Sequence, residues 1–302
     1  MRTTALRLSG TALLVAMIAR GSLAQCVNQR LVTSASTRGL AMGNSNTASR
    51  DDDVIFYGPA QLAVARGTSA AAERISPQVA NGTFASTARI ATGGVGIGVQ
   101  FANGTNESRC EFRQLSRVVA VVGVAQTFKR FRFGVAGKYA AEQADTAQTS
   151  RFMLDAGVSR DFSLADFLPL TLALAVQNIG TSAVDTVQLV TPLRVALGAS
   201  TGGPLGPFDL ALASDIAVER NDTLSLVRHG RLIAGLGVEL GYSWLDGYSF
   251  SFRAGERVPP TRTDQRHFTF GAGLVLDRVS IDYAGEDLVG FRFAHRIGVR
   301  LR

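Results

Sequence analysis

From about residue 68 to its last residue, the chain alternates an apolar residue with a small or polar one. Phe268, Phe270, Ala272, Leu274 and Leu276 are interleaved with Thr269, Gly271, Gly273, Val275 and Asp277. Leu232, Ala234, Leu236, Val238, Leu240 and Tyr242 are interleaved with Ile233, Gly235, Gly237, Glu239 and Gly241. A period of two is the mark of a β-strand with one greasy face. That face has to be covered. The sequence supplies no amphipathic helices to cover it, so lipid is the simplest solvent for it. The pattern predicts an all-β chain: a closed antiparallel transmembrane β-barrel.

The alternation breaks into about fourteen segments, running from 68–77 and 83–91 through 208–220, 230–242 and 248–258 to 291–302. Most have the roughly 9–11 residues a tilted membrane strand needs. Their connections alternate in length. Short links fall at 92–94, 129–130, 202–207, 243–247 and 277–278, and longer polar ones at 104–115, 144–150, 180–189, 221–229 and 259–266. Short turns on one rim and longer loops on the other are the habit of bacterial outer-membrane barrels. A soluble β-sandwich also alternates, but its outward face favours Thr, Lys and Glu over the Gly and Ala found here.

Parity assigns the faces. Phe131, Phe133, Val135 and Tyr139 oppose Arg132, Gly134, Lys138 and Glu142. Tyr248, Phe250 and Phe252 oppose Ser249, Ser251 and Arg253, while Phe293, Ile297, Val299 and Leu301 oppose Arg292, Arg296 and Arg300. A charge facing lipid near the midplane costs about 2–4 kcal/mol. Arg132, Lys138, Arg253, Arg292, Arg296 and Arg300 are therefore expected to line the lumen. By the same logic, arginine should block assembly at Leu236 and be tolerated better at Gly237. The aromatics Phe131, Phe162, Tyr242, Tyr248, Phe268 and Phe291 fall near strand ends, where interfacial girdles sit.

The net charge is +7, carried almost wholly by arginine. The arginines are dispersed along strands rather than clustered, which fits a charged lumen and not a nucleic-acid patch. After the N-terminus no window of 18 uninterrupted apolar residues occurs, so helical spans are not expected. Residues 1–24 read as a secretory signal: Arg2 and Arg7, an apolar core from Thr11 to Ala19, and Ser22-Leu23-Ala24 before the cut. Export permits a disulfide between Cys26 and Cys110, though nothing in their spacing pairs them.

Residues 25–67 are different in kind: polar, poor in strand pattern, with Pro59 opening a short helix near 59–65. They are expected to form a plug or hatch. Asp51, Asp52 and Asp53 lack the spacing of a calcium loop and are expected to face the luminal arginines. Leu40, Met42, Val54, Phe56, Tyr57 and Pro59 either line a ligand pocket or pack the plug against the wall.

The run Thr37-Arg38-Gly39-Leu40-Ala41-Met42-Gly43, followed by Asp51-Asp52-Asp53-Val54-Ile55-Phe56-Tyr57-Gly58-Pro59-Ala60-Gln61-Leu62-Ala63, resembles the N-terminal signature of the FadL/PorV/PorQ superfamily. The ending Phe293 to Arg302, with His295-Arg296-Ile297-Gly298-Val299-Arg300, resembles the close of PorV-like proteins. The resemblance covers these two stretches; between them only the architecture is shared. It implies a fourteen-stranded outer-membrane barrel with its hatch in the lumen. It also implies either transport of hydrophobic small molecules, as in FadL-type members, or an accessory role in protein secretion, as in PorV-type members. The sequence departs from the pattern where Gly58-Pro59-Ala60-Gln61 replaces Asn-Pro-Ala-Gly, and where the C-terminal aromatic gives way to Arg302. A structural or adhesive barrel without transport remains an alternative.

The expected partners are outer-membrane lipid and either a hydrophobic small molecule or components of a secretion system. No cofactor, metal or nucleic acid is expected, and no enzyme activity. A rim hydrolase built on His229 or His267 with Asp222 or Asp264 is the one catalytic alternative; His295 falls on the lipid face.

Overall fold

The computed structural model describes residues 36–51, 53–76, 79–105, 114–164, 168–180, 193–220, 230–258, 267–288 and 292–302. Residues 1–35, Cys26 among them, and Cys110, Asp52, His229, Asp222 and Asp264 lie outside those residues, so the expected signal and disulfide fall outside what is described.

Fourteen strands form one closed barrel in which every strand pairs with its sequence neighbours. They are β1 Gly67–Ser76, β2 Val79–Ile90, β3 Gly93–Thr105, β4 Gln114–Phe128, β5 Phe131–Ala144, β6 Ala147–Leu164, β7 Leu168–Gly180, β8 Leu193–Leu205, β9 Phe208–Arg220, β10 Gly230–Leu245, β11 Tyr248–Val258, β12 His267–Leu276, β13 Val279–Leu288 and β14 Arg292–Leu301. Closure is made by antiparallel pairing of β1 with β14, from Thr68 opposite Leu301 to Arg74 opposite His295. Closure leaves no unpaired sheet edge, which is what lets strands sit in hydrocarbon.

One rim carries two-residue turns, at 91–92, 129–130, 206–207, 246–247 and 277–278, and both ends of the barrel sequence. A left-handed residue makes each turn, at Ala91, Lys129, Gly206, Gly247 and Asp277. The other rim carries the longer intervals, between β3 and β4, β7 and β8, β9 and β10, and β11 and β12, while β1 and β2 lie two residues apart; one link there corrects the sequence reading. The link expected at 144–150 is a two-residue turn, because Ala144 pairs with Ala147 and extends both strands. Asp145 takes the left-handed conformation there, and its Oδ1 accepts from the Gln114 backbone N–H at 2.8 Å.

The two faces separate as parity requires. Leu236 is 62% exposed and Phe152 74%, with Val122, Phe133, Ile216, Phe252 and Ile297 exposed beside them. Arg132, Lys138, Asp155, Asp215, Arg253, Asp282, Arg296 and Arg300 point inward and are buried. Near the short-turn rim the outer face carries a run of rings, Phe208, Tyr242 and Phe250 at 5.7–5.8 Å spacing, with Trp244 beside Phe250. The Arg160 guanidinium lies between the Phe131 and Phe162 rings at 5.0 and 4.6 Å, an amphipathic arrangement suited to a membrane interface. Among the described residues no helix is long and apolar enough to cross a membrane, which says nothing of strands.

Residues 36–51 and 53–66 lie inside the cylinder. They form helix α1 (Thr37–Ala41) and two 3-10 turns, Val54–Phe56 and Pro59–Ala63. Pro59 opens the second turn, and Gly58 precedes it without a side-chain cap. Ser36 caps α1, its hydroxyl accepting from the Gly39 N–H at 3.0 Å.

Candidate functional site: the filled bore

The inner segment is held by charge on one side of the bore. Asp51 receives Arg300 at 2.9 Å and Arg38 at 3.4 Å. Arg38 grips Glu239 with Nε and Nη2, at 2.9 and 3.0 Å. Arg253 bridges Glu239 to Asp282, and Asp282 also takes Arg300 at 2.8 Å. Arg296, wholly buried, donates to Glu73, to Thr83 and to Thr37 of α1. A buried guanidinium left alone is costly, so this network holds together or fails together.

Asp53 belongs to the same cluster but differs in state. Burial, and then the neighbouring Asp51 carboxylate, raise it to about 6. Asp51, facing Arg38 and Arg300, is held well below the usual carboxylate range despite its own burial. The Tyr57 hydroxyl donates to Asp53 Oδ1 at 2.5 Å. Arg38, Arg253, Arg296 and Arg300 face Asp51, Glu73, Glu239 and Asp282, so the charges match when Asp53 is protonated.

On the other side the fit is steric and apolar. Val54, Ile55, Phe56 and Leu62 pack with Val121, Ala125 and Ala136 of β4 and β5. Luminal glycines make the sockets. A methyl group on Gly94 would strike the Leu62 carbonyl, one on Gly98 the Phe56 ring, and one on Gly134 the Pro59 backbone. Across the bore, Gly237 and Gly255 receive Met42 and Gly43, and Gly271 receives Ala41. The luminal position at Gly237 is already filled by the Met42 backbone, so a side chain placed there must displace the inner segment.

Backbone clamps complete the seating. Asp215 Oδ2 accepts from the Asn46 and Thr47 N–H groups, each at 2.9 Å, and from the Thr47 hydroxyl at 2.8 Å. Lys138 and Gln177 both donate to the Phe56 carbonyl at 3.1 Å, and Lys138 also pairs with Asp155 at 2.6 Å. The Thr269 hydroxyl accepts from Gly43 N–H and donates to the Ala41 carbonyl.

One stretch of wall fits less closely, touching the segment where the Ser200 hydroxyl donates to the Ala48 carbonyl at 3.0 Å. Ser200 and Gly202 of β8 lie opposite Ala213 and Ala211 of β9. Between them and the inner segment is a cavity of about 230 Å³ near the short-turn rim. Met42, Ala48 and Arg50 border it from the segment, and Pro169 and Thr171 from β7.

Leu40, Val54, Phe56, Tyr57 and Pro59 are packed against the wall or their neighbours, while Met42 also borders the cavity. Asp51, Asp53, Arg253, Arg296 and Arg300 come together in the ionic cluster. Arg132 and Lys138 lie elsewhere, Arg132 forming two hydrogen bonds to Asp161. Arg292 opens β14 opposite Leu288, and His267 opens β12 opposite Arg257. The sequence reading missed Arg38, Glu239 and Asp215 as anchors. It also missed the socket glycines, whose signal was their recurrence at luminal parity.

No protein-family model and no curated protein sequence matches the chain. Solved structures do match. The Pseudomonas putida toluene transporter TodX superposes with TM-score 0.55 at 12% identity, covering 89% of this chain and 97% of that one. The monoaromatic hydrocarbon channel CymD gives 0.58 at 8% identity, covering 89% and 97%. A Pseudomonas aeruginosa FadL homologue gives 0.53 at 9%, covering 89% and 98%. The barrel fold is the one these channels use.

Proposed function

We propose that this chain is an outer-membrane channel admitting hydrophobic small molecules, with residues 36–66 as a hatch that closes the bore at rest. The observation that carries this reading is the seating of the segment: ionic on one side, socketed in glycines on the other, inside a wall with an apolar exterior. The shared fold with channels described as carrying toluene and monoaromatic hydrocarbons supports the substrate class. The accessory role in secretion rests on the sequence resemblance alone.

The test is electrical and chemical together. Purified full-length protein in planar bilayers should show rare, brief openings. Deletion of residues 37–66 should leave a folded barrel with steady conductance at least tenfold higher. Proteoliposomes carrying the full chain should accumulate toluene faster than empty ones. Conductance indifferent to the deletion would remove the hatch, and toluene flux equal to empty liposomes would remove the substrate class.

A further inference from the structure

The cavity against β7–β9 invites a specific occupant. The inner segment elsewhere meets the wall closely: at Gly94, Gly134, Gly237, Gly255 and Gly271, an added methyl group would collide with it. At Gly202 the same methyl group meets only β9, at the Leu210 carbonyl and Ala211. Gly202, Ala211 and Ala213 thus border the cavity, and beside them the Ser200 hydroxyl donates to the Ala48 carbonyl of the segment at 3.0 Å. A dry cavity of roughly 150 Å³ is already enough to hold benzene, and this one measures about 230 Å³.

Its chemistry is two-sided. Met42, Ala48, Ala211, Ala213 and Pro169 give an apolar bed. At one edge stands Arg50, about half exposed, donating to Asp161 Oδ1 at 2.7 Å and to Thr171 Oγ1 at 2.9 Å. Asp161 is already held by Arg132 through both carboxylate oxygens, at 3.0 and 2.7 Å. Two guanidinium groups share one carboxylate, so the edge carries a surplus positive charge. Asp209, two residues from Ala211 on β9, shares that inner face nearer the rim and pairs with Gly241 of β10. At the inner end the clamp of Thr47 on Asp215 closes the space, where Gly198 already meets Thr47.

We propose that this cavity is a binding site for a small organic anion with an apolar body, its carboxylate on Arg50 and its hydrocarbon part against Met42 and the Ala211–Ala213 wall. The site rests on the channel reading and narrows it. An amphiphile leaving the bore would be held here, at the short-turn rim, before release. A guanidinium favours a carboxylate over a neutral or cationic head of equal size, so the site also ranks substrates.

The test uses the purified full-length protein in detergent, with fluorine NMR of 4-fluorobenzoate, fluorobenzene and 4-fluorobenzylamine. The wild type should bind the acid saturably and at least tenfold more tightly than the amine. Arg50→Gln should weaken the acid about tenfold and leave fluorobenzene unchanged. Ala213→Leu, which fills the cavity without touching the ionic cluster, should abolish saturable binding of both. Ala211→Leu provides a second filling variant should Ala213→Leu fail to fold. Equal affinity for acid and amine, or binding untouched by the filling variants, overturns the proposal. Toluene flux measured on the same preparations keeps the two readings apart: flux without benzoate binding sinks only the site, and benzoate binding without flux sinks only the transport reading.

Discussion

Asp53 makes the seating of the inner segment depend on pH in a direction that can be worked out. Its seated value of about 6 lies above the ordinary 3.8. Between those values the seated state holds a proton that the released state has lost, so seating weakens as pH rises from about 4 to about 6 and levels off above. Asp51 acts oppositely. It is depressed when seated, so its contribution is present above about pH 4 and is lost below it. Seating should be tightest near pH 4 and weaken steadily from there to about pH 6. Opening frequency in bilayers should rise roughly tenfold from pH 5 to pH 7.5, and Asp53→Asn should flatten that rise. Neighbouring residues of β10 separate wall from contents. Leu236→Arg puts a charge in lipid at a cost of about 2–4 kcal/mol, so folded yield by cold gel shift should fall. Gly237→Arg should leave the gel shift intact but raise conductance, because the side chain displaces Met42. Parity made position 237 luminal; it could not say that the lumen there is already occupied.

At the level of elements, turns and clamps govern different things. Lys129 takes a left-handed φ of 56° in the β4–β5 turn, a conformation costing a residue with a Cβ about 1–2 kcal/mol. Lys129→Gly should therefore raise barrel stability by roughly 1 kcal/mol, read as a higher urea midpoint in lipid. Asp215 of β9 holds the Asn46–Thr47 stretch through three hydrogen bonds to one oxygen. Bonds to a charged acceptor are worth about 1.5–3 kcal/mol each. Asp215→Ala should raise hydrogen exchange at residues 44–50 at least tenfold while leaving the strands protected. Between β6 and β7 the register shifts from Leu154 to Ala156. There Asn178, at φ 60°, turns its N–H to Asp155 Oδ1. This bulge sits beside the Lys138 anchor on Phe56. Neither bulge nor clamp had a sequence signal of its own, since Asn178 and Asp215 sit in runs that otherwise alternate normally.

For the whole molecule, an apolar exterior and an ionic interior follow from one pattern read fourteen times. The bounds of β9 and β11 coincide with the alternating runs 208–220 and 248–258. The bounds of β6 do not. It runs Ala147–Leu164, beyond the 151–162 read from alternation, because pairing continues through Gln148 and Thr149, where polar residues hide the period. Strand number, facing and rim asymmetry were therefore determined by the chain locally, since side chains two apart on a strand share a face whatever the strand packs against. What the segment at 36–66 touches was decided only by closure of the barrel. Arg38 finds Glu239, Thr37 finds Arg296 and Asn46 finds Asp215 across 201, 259 and 169 positions of sequence. No local period encodes such pairs. The cavity beside Arg50 is more remote still from the sequence, because it exists where small wall residues on two strands leave a gap beside the segment, and a gap has no residue to announce it.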